Sequence, residues 1–159
     1  MTIEMYKLAR PKLNGYPISI LNGKPQGVVN PMVLDLLGEL PQFVGELVVG
    51  HPTAPDCYER SKAFVDDPVT TELFVFWVYD LRTTNPFPLN VRLEIAQPFI
   101  AASGVVVQYV EHELIESPKQ LADYRERVLK QNFTGIVLRE PYGVFGHEDE
   151  EITSEVAIV

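Results

Sequence analysis

A chain of 159 residues with 46% hydrophobic and 10% aromatic content is long enough to bury a core and too apolar to remain disordered, which predicts one domain. Its net charge of −9 argues against a broad duplex-DNA footprint, which needs a basic face, while allowing a local basic strip. The longest apolar run, FVFWVYDL, is too short to cross a bilayer, MTIEMYKLARPK lacks a signal-peptide core, and the lone Cys57 has no internal disulfide partner. These features predict a cytoplasmic protein, of the cell or of an infected host, with no membrane partner.

In chain order, YPISILNGKPQGV reads as a hairpin turning at Asn22-Gly23. Asn30 and Pro31 form an N-cap and first helical residue, so PMVLDLLGEL is predicted to be a helix. FVGELVVG alternates as a strand, with Phe43, Gly45, Leu47 and Val49 on one side. APDCYERSKAFVDD places Cys57, Ser61 and Phe64 at helical spacing. ELFVFWVYDL is apolar enough to run through the centre of a sheet.

Further on, PLNVRLEIAQPFI reads as a helix that starts near Pro88 and stops before Pro98, and GVVVQYVEHEL as one strand. SPKQLADYRERVLKQN has Ser117 as N-cap and Leu121, Tyr124 and Val128 on one face, and FTGIVLRE closes the series as a strand. The irregular alternation behind a leading hairpin favours α+β over a doubly wound parallel sheet.

Four fragments, in order, resemble the ATP-dependent DNA ligases of phage type. PKLNGYP is similar to the nucleotide-attachment motif K-x-D-G-x-R, and QFVGELVVG to the following D-G-E-L-V-V-G stretch. FVFWVYDL resembles the strand ending in an aromatic and Asp, and NFTGIVLREPYGVF the E-G-[LIV]-[MV]-L-R strand. The resemblance implies a nucleotidyltransferase fold of two mainly antiparallel sheets flanked by helices over residues 1–146. In that family AMP is attached to the motif lysine, transferred to a DNA 5′-phosphate and used to seal the nick.

Position by position, the resemblance makes Lys12 the nucleophile, Gly15 the close-approach glycine, Glu46 the ribose contact, Tyr79 the ring stacked on adenine and Arg139 a kept basic residue. The motif's Asp is Asn14, its Arg is Pro17, the Asp before Glu46 is Val44, the metal-binding Glu is Thr134, and the closing lysines are Ala157 and Val159. Removing one group that stabilises transition-state charge costs about 3–4 kcal/mol, so the absence of four removes most of the acceleration. Lys12 then reads as a relic, and as a surface lysine in its plainer reading. No cofactor is expected; ATP and Mg²⁺ enter only if adenylation of Lys12 survives. No OB-type DNA-binding domain is expected after Val159.

Other features carry both a plain and a sharper reading. Tyr79 is a core aromatic or a stacking surface for a base of single-stranded DNA. Lys119, Arg125, Arg127 and Lys130 lie on one helix among acids, as a solvated face or half of a phosphate-tracking groove. His51, His112 and His147 share no ligand spacing, so no metal site is expected. Residues 147–159 run from an acidic stretch to an apolar tip, read either as a tail whose Val156, Ile158 and Val159 recruit a replication or transcription protein, or as a degenerate closing strand. Three functions remain open: an inactive ligase relative that binds single-stranded DNA, a minimal adenylyltransferase, and a protein-binding module without nucleic acid. Homo-oligomerisation is compatible with all three.

Overall fold

A computed structural model of the chain describes residues 6–144 and 155–158. The chain divides into two compact units, one built from Met1–Leu13, Thr83–Val91 and Val110–Val159, the other from Asn14–Arg82 and Arg92–Tyr109.

The second unit is built on a five-stranded sheet. Its strands are β2 (Tyr16–Leu21), β3 (Lys24–Pro25), β4 (Phe43–Val49), β5 (Phe74–Leu81) and β6 (Val107–Tyr109), in the order β3-β2-β4-β5-β6. All pairings are antiparallel except β5 with β6. Asn22 and Gly23 form the tight turn between β2 and β3, both with positive φ (51° and 74°), as the Asn-Gly signal predicts. One sheet face carries Ile18, Ile20, Phe43, Leu47, Phe76 and Val78 into the core. Each such side chain contributes about 1.5–3 kcal/mol by leaving water.

Helix α1 (Pro31–Leu37) is capped as predicted, Asn30 Oδ1 accepting from the backbone of Met32 (2.9 Å) and Val33 (3.3 Å). Helix α2 (Cys57–Asp66) buries Cys57, Ser61, Phe64 and Val65, and Ser61 Oγ accepts from Val49 N at 3.0 Å, tying the helix to the end of β4.

Helix α3 (Leu89–Ala101) corrects the predicted stop before Pro98, because it continues through that residue. Proline forfeits one bond to the carbonyl of Glu94, but Glu94 is exposed and water can satisfy it. Ala96 and Ile100, on either side of the proline, are buried in the core and hold the last turn.

The first unit holds a sheet of β7 (Glu113–Ile115), β1 (Lys7–Pro11), β8 (Ile136–Arg139) and β9 (Glu155–Ile158), in the order β7-β1-β8-β9 and wholly antiparallel. Helix α4 (Pro118–Lys130) starts on Ser117, whose Oγ accepts from Gln120 N, and packs Tyr124 and Val128 with Ala9, Ile115, Ile136 and Leu138. The predicted single strand GVVVQYVEHEL is instead two, β6 and β7, each in a different sheet. Alternation continues unbroken through the sequence, but the chain bends after buried Val110, whose carbonyl meets His112 Nδ1 at 2.9 Å. Among the described residues no helix is long and apolar enough to cross a membrane.

Candidate nucleotide and nucleic-acid site

The site in the second unit begins with a register shift. Val44 pairs with Asp80 and Gly45 with Val78, so Tyr79 is the extra residue of a bulge on β5. The strands approach closely here: a Cβ added to Gly45 would lie 1.9 Å from the carbonyl oxygen of Trp77. Beyond the bulge, Pro17, Glu46 and Trp77 form one row across β2, β4 and β5.

Glu46 organises this row. Its Oε1 accepts from Gly15 N at 2.9 Å and its Oε2 from the Tyr79 hydroxyl at 3.2 Å. Gly15 can lie against Glu46 because it has no side chain; a Cβ would come within 2.8 Å of the Leu47 carbonyl oxygen and a Val48 methyl. Three residues separated in sequence are thereby brought together. Sequence reasoning missed Trp77, although simple alternation along FVFWVYDL puts it on the same strand face as Tyr79.

Asp80, next to the bulge, faces inward. Both its oxygens are held by Arg92 of α3, at 2.9 Å from Nε and 3.2 Å from Nη2, and both residues are 2% exposed. Arg92 was also missed, because a partner twelve residues away on another element leaves no local signature.

In the first unit, Lys12 follows β1 with its side chain exposed and its backbone N–H bonded to the Gly135 carbonyl at 2.9 Å. Thr134, where the resemblance expects a metal-binding Glu, is exposed next to that glycine. Arg139 is buried, its Nη1 3.2 Å from His112 Nε2. Burial first, then the charges of Arg139 and Arg10, hold the His112 pKa well below its ordinary value. A neutral imidazole with its proton on Nδ1 satisfies both neighbours, donating to Val110 and accepting from Arg139.

On α4, Lys119 pairs with Asp123 (3.1 Å), Lys130 with Glu126 (3.8 Å), and Arg127 with Glu113 (2.8 Å) while lying over the Tyr124 ring. These three cations of the suggested groove therefore have carboxylate partners. Arg125 helps line a cavity of about 550 Å³ on the same helix. Val156 and Ile158 belong to β9, paired with β8, whereas Val159 and His147 lie outside the described residues. Among the described residues no three His, Cys, Asp or Glu side chains are grouped to hold a metal ion.

Solved DNA ligases share this architecture. The Chlorella virus DNA ligase-adenylate superimposes with a TM-score of 0.73 at 20% identity, covering 90% of this chain and 57% of the ligase. A Lig E DNA ligase, studied for DNA binding with a minimal scaffold, gives 0.71 at 15% identity over 99% of this chain and 63% of that one. The ATP-dependent ligase of bacteriophage T7, in complex with ATP, gives 0.62 at 12% identity over 88% and 58%. The fold is that of a DNA ligase adenylation domain. This chain thus spans less than two thirds of each of these ligases. No protein-family model and no curated protein matches the sequence.

Proposed function

We propose that this ligase-like chain does not charge itself with AMP and that its nucleotide-handling face serves to bind single-stranded DNA. One observation carries this reading: Glu46 accepts from both Gly15 N–H and the Tyr79 hydroxyl, in a row where the motif's arginine has become Pro17. A proline has no donor for a triphosphate. Thr134 brings no carboxylate for Mg²⁺, and Ala157 brings no cation. The residues present therefore do not fit an ATP–Mg²⁺ site. Trp77 and Tyr79 keep aromatic rings on a common strand face, and stacking does not require the missing charges. Recruitment of a replication or transcription protein belongs to the same reading.

Fluorescence anisotropy with labelled single- and double-stranded oligonucleotides tests it. Single strands are expected to bind preferentially, with affinity falling as salt rises by a log–log slope of about 0.7 per neutralised phosphate. Tyr79→Ala is expected to cost about 1–3 kcal/mol of binding, whereas Tyr79→Phe retains most of the affinity because the ring remains. Absence of binding at low salt would leave the protein-only module, which the −9 charge favours. The adenylyltransferase reading rests on Lys12, which is exposed and anchored through its backbone to Gly135.

A further inference from the structure

Leu73 (91%) and Val69 (83%), both in the connection between α2 and β5, are with Val105 (83%) the most exposed large apolar side chains among those described. This connection is held firmly. Asp67 accepts from Val69 N (2.9 Å), Thr70 N (3.3 Å) and the Thr70 hydroxyl, bonds that lower its pKa and keep it ionised. From the other side, buried Asn30 donates to the carbonyls of Asp67 (2.8 Å) and Thr70 (2.7 Å). Val69, fixed by these bonds, loses little entropy on binding. Leu73 also borders a cavity of about 230 Å³ shared with Thr71, Glu72 and Met32, and half-exposed Leu36 lies one helical turn beyond Met32.

Acidic side chains border this patch. Asp35 follows Met32 by three residues on α1, Glu72 lines the cavity, and Asp67 begins the connection after Asp66 ends α2, while Lys62 is already paired with Asp66. We propose that this surface of the second unit docks a basic amphipathic segment of another protein, with apolar side chains over Val69, Leu73 and Met32 and Lys or Arg against the acidic rim. A second copy fits poorly, because it would bring two acidic rims together in chains of net charge −9. The proposal is independent of nucleic-acid binding and of the apolar residues at the end of the chain.

The test uses the full ¹⁵N-labelled chain and three synthetic 18-residue probes: a Leu/Lys amphipathic helix, its Leu/Glu counterpart, and a Lys/Ser peptide. The Leu/Lys helix is expected to shift amide resonances at Met32, Val69, Thr71 and Leu73. The double variant V69S/L73S, altered only at exposed positions, should bind it at least tenfold more weakly with unchanged melting temperature and DNA affinity. Equal binding of the Leu/Glu or Lys/Ser probe, shifts confined to other regions, or unchanged affinity in the double variant would overturn the proposal. So would sedimentation showing a dimer that the double variant dissolves, because the occupant would then be a second copy.

Discussion

Arg92→Met is expected to lower the unfolding free energy by about 3–5 kcal/mol, the usual consequence of removing one member of a buried ion pair. Asp80 would keep the bond from Leu81 N at 2.7 Å but be deprived of both hydrogen bonds from the guanidinium, in surroundings that expose 2% of its surface. The methionine occupies much of the same volume, so cavity formation is a minor part of the destabilisation. Urea denaturation followed by circular dichroism measures it. The double variant Asp80→Leu/Arg92→Met should recover part of the stability, since it removes both charges of the pair together. A loss below about 1 kcal/mol in the single variant would show that water reaches Asp80 and that the pair does not anchor α3 to β5.

Gly45→Ala is the second large effect, expected to cost about 3 kcal/mol, the upper end of ordinary overpacking. The atom nearest the new methyl is the Trp77 carbonyl oxygen, at 1.9 Å, and a backbone oxygen cannot rotate away as a flexible side chain can. β4 must therefore separate from β5 beside the Tyr79 bulge, loosening the Tyr79–Glu46 hydrogen bond as well. Trp77 is the only tryptophan in the chain, so its emission reports the change directly. Wild-type stability and an unshifted emission maximum would mean that the strands do not approach closely at this point.

Much of the fold could be read from local chemistry. Asn22-Gly23 fixes a hairpin, and Asn30-Pro31 and Ser117-Pro118 start helices, all within a few residues of the structure they dictate. Features that depend on distant partners could not be read in this way. Pro98 argues locally for a helix end, yet the burial of Ile100 carries α3 past it. The alternation of GVVVQYVEHEL continues across the point where the chain leaves one sheet for the other. At the candidate site, Gly15, Glu46 and Tyr79 were identifiable from the ligase resemblance, whereas their hydrogen bonds and the bulge depend on strand register. The α4 cations were visible as a cluster, but Glu113, which neutralises Arg127, is contributed by β7.

Intact-mass spectrometry of the purified chain incubated with ATP and Mg²⁺ shows whether Lys12 takes up AMP. An unchanged mass is expected, because Pro17, Thr134 and Ala157 stand where the ligase resemblance expects groups that hold the triphosphate and its metal. A covalent AMP adduct that disappears in Lys12→Ala would contradict it, showing that Lys12 is a working nucleophile.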